Sequence, residues 1–123
     1  MLKALLLVGL GGGVGSIFRY LVSVLTAKHV HSVFPWATFA VNILGCLLIG
    51  LLIGYFEKQQ LLNNDLKLLF VTGFCGGFTT FSAFAIENLK LFQTGNYITA
   101  LIYILLSVLI GIVAVGSGIL LVK

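Results

Sequence analysis

Four long apolar runs set apart by short charged stretches limit what this 123-residue chain can become. Its charged residues are Lys3, Arg19, Lys28, Glu57, Lys58, Asp65, Lys67, Glu87, Lys90 and Lys123, and all but Arg19 sit at the ends of the runs or between them. At about 1.5 Å of rise per residue, some 20 apolar residues cross a hydrocarbon core of about 30 Å. Only 8% of the chain is charged and 60% is apolar, against roughly 25% charged in a soluble domain. The pattern predicts an all-α membrane protein: one domain over residues 1–123, with four transmembrane helices at about 2–27, 33–56, 68–90 and 97–122. Lys3 followed by ALLLVGLGGGVG resembles a signal peptide, but the apolar pattern runs on past Arg19 to Ala27 without a small-x-small cleavage site, so it is read as the first helix.

The net charge of +4 does not point to nucleic acid, because the cations are scattered among the connections with no cluster or aromatic platform. Anchoring against lipid headgroups accounts for them. Cys46 and Cys75 lie inside apolar runs without ligand spacing and are read as small buried hydrophobes. His29 and His31 share a short connection with no paired carboxylate or nucleophile, which argues against an enzyme.

Four crossings put both termini on one side. Lys3, Lys58, Lys67 and Lys123 then face Lys28 and Lys90, with Arg19 inside a span. So weak a Lys/Arg bias gives weak control of orientation, which makes insertion in both directions, and a homodimer of oppositely oriented copies, an expectation. Helices in lipid associate through close approach at small residues. Gly9 with Gly13, Gly11 with Gly15, Gly50 with Gly54, and Gly111, Gly116 and Gly118 are all read as packing positions. GLGGGVG has no preceding strand and no following P-loop lysine, so it is not a nucleotide loop.

Polar groups within a span are costly and are the first places to look for function. Asn42 stands about two turns into an apolar helix; its amide either makes an interhelical hydrogen bond or supplies donors to a passing ligand. In GFCGGFTTFSAF, residues 73–84, Gly76 and Gly77 followed by Thr79 and Thr80 are poor helix formers in mid-span and predict a break in the third helix. Unwound backbone survives in a membrane only inside protein or against a polar cavity, and its carbonyls suit a small hard cation. Phe78, Phe81 and Phe84 share one helix face: either a packing stripe, or ring edges whose positive quadrupole lines an anion's path.

GGGVGSIFRY (11–20), TFAVNILGC (38–46) and GFCGGFTTFSAF (73–84), in this order in a four-helix chain, resemble the Fluc (CrcB-type) fluoride channels over essentially the whole sequence. The resemblance implies an antiparallel, dual-topology homodimer with two pores in a bacterial cell membrane. Such a dimer exports fluoride passively and holds a structural sodium ion at its interface. By position, Asn42 resembles the family's pore asparagine, and Phe81 and Phe84 the phenylalanines that face fluoride. Thr80, Ser82 and Tyr103 match polar positions along the track. Arg19 and Glu87 match positions near the pore mouth, with Glu87 also readable as a solvated loop charge. The backbone carbonyls of Gly76 and Thr79 match the sodium ligands. Gly111 and Val115 stand where some relatives carry hydroxyls, leaving Ser107 as the nearest one.

Two other functions fit four apolar helices. A proton-coupled small-molecule exporter of dual-topology type needs a titratable group in the membrane, for which Glu87 is the only near candidate. A structural subunit without transport leaves the glycine-threonine stretch unexplained.

Overall fold

The computed structural model describes residues 1–60 and 64–123, and its regular structure there is helical. Helix α1 (Leu2–His29) and α2 (Trp36–Lys58) are followed by a composite third span. This span begins as α3 (Asn64–Lys67), winds as a π-helix over Leu68–Cys75, and closes its first half with α4 (Gly76–Phe78). After a two-residue break it resumes as α5 (Phe81–Gln93), and α6 (Tyr97–Val122) ends the chain. Four helices, counting the composite span Asn64–Gln93 as one, are long and apolar enough to cross a membrane.

The subunit has little interior of its own. Val41, Phe56, Cys75, Phe78, Leu91, Ala100 and Tyr103 are its buried hydrophobics, while leucines and isoleucines along α1 and α6 are exposed. A solvent as apolar as leucine rewards no burial of leucine, so backbone approach must hold the helices together. Two helix pairs show it. α2 packs chiefly on α6, and α1 on the first half of the third span. A methyl group on Gly118 would lie 2.6 Å from the Leu47 carbonyl oxygen, and one on Gly50 would strike the Val115 carbonyl. In the other pair, Gly11 abuts the Leu69 carbonyl, Gly15 that of Phe74, and Gly77 that of Gly12. Within the subunit Gly9, Gly13 and Gly116 are not packing positions, since an added methyl would meet nothing within 4 Å there.

The break falls later than the glycines suggest. Gly76 and Gly77 are still helical, and the chain leaves the helix at Thr79 (φ −87, ψ 157) and Thr80 (φ −149, ψ 121). β-Branched residues favour such extended backbone. α5 runs to Gln93, so Glu87 belongs to a helix rather than a loop. It stops in a Schellman motif in which the Asn96 amide donates to Leu91 O (2.8 Å) and the Gly95 amide to Phe92 O (3.2 Å). Gly95 takes φ +80 there, which glycine adopts without strain. On the side of the termini, Lys3 Nζ lies 2.7 Å from Asp65 Oδ2, joining the start of α1 to the start of α3.

The glycine contacts predict opposite signs for similar substitutions. Gly11→Ala and Gly118→Ala should each cost about 1–3 kcal/mol by overpacking. Gly9→Ala should be neutral or stabilising by up to about 1 kcal/mol, because alanine is the better helix former. Equilibrium unfolding in mixed micelles measures the difference.

Candidate functional site at the broken helix

One open cavity of about 440 Å³ lies against the break. Asn42, Gly76, Thr79, Thr80, Phe81 and Phe84 line it together, joined by Ser107 from α6. Residues far apart in the chain therefore meet because α2, the break and α6 converge. Ser82, Tyr103, Glu87 and Arg19 stand outside its wall.

Asn42 holds the break. Where the helix ends, the Thr80 amide would otherwise have no partner. It donates instead to Asn42 Oδ1 at 2.8 Å, while Asn42 Nδ2 donates to the Thr80 carbonyl at 3.0 Å. One side chain thus satisfies both backbone groups of a single unwound residue. Of the two options open to Asn42, the interhelical hydrogen bond is what this geometry contains; one N–H of the amide is left over. Thr80 in turn starts α5 as its N-cap, its Oγ1 accepting from the Ala83 amide at 3.2 Å. Ser82 Oγ lies 3.3 Å from the same hydroxyl.

Beyond the break an aromatic series leads inward. Phe81 is 79% exposed, and its ring centroid is 5.8 Å from that of Phe84. Phe84 meets Tyr103 edge-on at 4.9 Å. Tyr103 is completely buried and donates its hydroxyl to Glu87 Oε1 at 2.9 Å. Thr38, also buried, donates to Glu87 Oε2 at 2.7 Å. The expectation of a solvated loop charge at Glu87 is therefore corrected: the carboxylate is half-buried on α5 with both oxygens engaged. The sequence marks Thr38 only as a polar residue in a span, and nothing in its spacing points 49 positions ahead to Glu87.

Arg19 faces the other side of the break. Its Nε donates to the Gly77 carbonyl at 3.0 Å, and Ser16 Oγ approaches the same oxygen at 3.5 Å. Ser16 passes unnoticed in the sequence because it sits in a glycine-rich run, although its i, i+3 relation to Arg19 puts both on one face.

Among the described residues no cluster of three or more His, Cys, Asp or Glu could hold a metal. Backbone oxygens are the remaining donors, and two features of the break suit them. The Thr80 amide is turned to Asn42 and so does not donate to the Gly76 carbonyl four residues back. A methyl group on Gly76 would meet nothing within 4 Å, leaving that turn uncovered. A backbone carbonyl left in that state is the kind of oxygen ligand that small hard cations take.

Asn42→Ala should orphan both backbone groups of Thr80 at a cost of about 1–3 kcal/mol. Hydrogen–deuterium exchange should then show loss of protection at the Thr80 amide. Asn42→Asp keeps an acceptor for that amide and should retain protection there.

Comparison with known proteins identifies the family. A protein named fluoride-specific ion channel FluC from Azobacteroides pseudotrichonymphae is 50% identical over 118 residues, 96% of this chain and 94% of its own length. One of the same name from Flavobacterium psychrophilum is 48% identical over 122 residues, 99% and 98% of the two chains. Another from Gloeothece citriformis is 45% identical over 119 residues, covering 97% and 96%. The family model described as CrcB-like protein, Camphor Resistance (CrcB), matches residues 6–119, and the chain belongs to that family.

Proposed function

We propose that this protein is a fluoride-selective channel that lets fluoride leave the cell passively and so lowers its cytoplasmic concentration. The observation that carries this is the cavity at the break. It gathers the Asn42 amide, the Thr80 hydroxyl and the Phe81 and Phe84 rings on an uncharged wall, in a chain whose relatives are named for fluoride conduction. The protein is a channel and not an enzyme. Donors and ring edges replace part of an anion's hydration without a full charge, so the ion is held weakly enough to move on. In this assignment Asn42, Thr80, Ser82, Phe81, Phe84 and Tyr103 form the pore, with Arg19 and Glu87 towards its mouths.

Two antiparallel copies forming two pores in a bacterial plasma membrane complete the proposal. The wide opening of the cavity and the 79% exposure of Phe81 in a single subunit support a second copy, and the weak Lys/Arg bias permits opposite insertion. Gly76 and Thr79 of each copy would hold a sodium ion through their carbonyls, joining the subunits at the centre.

A proton-coupled exporter is less well supported. Glu87, its only near candidate, has both oxygens committed to Tyr103 and Thr38.

Efflux from liposomes, read with ion-selective electrodes while a potassium ionophore clamps the potential, tests the function. Fast fluoride efflux, little chloride efflux and no need for a proton gradient are expected; absence of fluoride flux from assembled dimers would refute the channel. Asn42→Asp and Phe81→Ile should each slow fluoride efflux at least about tenfold, or ~1.4 kcal/mol in the barrier, with dimers intact by size-exclusion chromatography. Replacing sodium by N-methylglucamine, too large to fit between carbonyl oxygens, should lower flux in the parent protein.

A further inference from the structure

Two free thiols, Cys46 and Cys75, stand 29 positions apart in the chain and at one level in the fold. α2 and the third span run in opposite directions. They are pinned to each other where Asn42 bonds Thr80 and where Gly45 abuts Thr79. One turn along α2 from Asn42 comes Cys46, on the same face. One turn back from Thr79 comes Cys75, whose carbonyl accepts from both the amide (3.0 Å) and the hydroxyl (2.8 Å) of Thr79. The antiparallel register therefore brings the two cysteines together. Both stand in the wall of the cavity at the break, and each thiol lies within electrostatic reach of the other.

Their surroundings select the kind of ligand they could share. Gly111 on α6 has no side chain to cover Cys46; a methyl group there would come to 3.5 Å from Sγ. Cys75 closes the π-helix Leu68–Cys75, a winding that recurs at functional sites. Among the described residues the cavity wall holds no carboxylate or imidazole, and no third metal-ligating side chain joins the cysteines. A four-coordinate zinc site has too few donors here. Two sulfurs among Ile49, Val71 and Val108 instead suit a soft cation that is content with two ligands, since thiolates select soft metals. Charge favours a divalent one: two thiolates cancel it, and a neutral complex avoids the cost of burying charge.

We propose that Cys46 and Cys75 form a bridging site for a soft divalent cation of the mercuric type, held between the two sulfurs of one subunit. Supplied as its chloride, the metal releases two chloride ions, the thiols release two protons, and two metal–sulfur bonds form without any change of oxidation state. Asn42 and Phe84 line the same cavity, so the filled site obstructs the path of an anion. That obstruction rests on the channel reading above; the binding does not.

X-ray absorption at the mercury edge, on folded full-length protein loaded with one equivalent of mercuric chloride per subunit, reads the site directly. Two sulfur neighbours per metal and no chloride are expected, with monomers on a denaturing gel. Cys46→Ala and Cys75→Ala should each surrender the metal at a glutathione concentration at least about tenfold lower than the parent requires, because one sulfur no longer holds the metal for the other. A metal bound to one sulfur and one chloride, a mercury-linked dimer, or equal release from the parent and the single variants overturns the site. In liposomes, loading the parent should slow fluoride efflux at least about tenfold, with recovery in dithiothreitol and no slowing when both cysteines are replaced by alanine. Efflux that the bound metal leaves unchanged overturns the obstruction. If the unloaded parent passes no fluoride at all, the channel reading fails, and the absorption spectrum decides the metal site by itself.

Discussion

The paired hydrogen bonds between Asn42 and the backbone of Thr80 are the interaction on which the site depends. A helix that stops in mid-membrane exposes amide and carbonyl groups to a medium that cannot bond them, at several kcal/mol per group. One asparagine on α2 meets both needs of Thr80, and the Thr80 hydroxyl then starts α5. With the helix ended there, Phe81 and Phe84 project from a new helical start, and the amide that would have bonded the Gly76 carbonyl is drawn elsewhere. The orientation of α5 also carries Glu87 to its two hydroxyl partners.

That arrangement needs α2 to lie close to the break, and glycine packing brings it there. Gly45 on α2 has no room for a methyl group because Thr79 fills it. The two helix pairs, α1 with the first half of the third span and α2 with α6, are each held where a backbone carbonyl rests on a glycine Cα. The break sits where the pairs meet. Its two faces differ in consequence: a donor-lined open cavity towards α2 and α6, and a guanidinium-bearing polar line towards α1.

Much of this was legible in the residues. Four apolar runs gave the spans, since crossing lipid demands length and apolarity and little else. Gly76, Gly77, Thr79 and Thr80 marked a break because they are poor helix formers at mid-span, although the turn out of helix came at the threonines. The π winding of Leu68–Cys75 was not legible; nothing in LLFVTGFC distinguishes it from an ordinary helix. Spacing likewise could not say which glycines pack. Gly9 with Gly13 and Gly11 with Gly15 have the same four-residue interval, yet only the second pair meets another helix.

What the sequence determined by itself, through hydropathy and local propensity, was that the chain crosses a membrane as four helices and that the third is interrupted. Both follow from properties of neighbouring residues: transfer cost summed along a run, and the backbone preferences of glycine and threonine. Tertiary structure decided what the polar residues do. Asn42 and Thr80 are 38 positions apart, Thr38 and Glu87 are 49, and Arg19 and Gly77 are 58. Contacts at such separations depend on helix rotation and crossing, which the packed glycines set and no local pattern encodes.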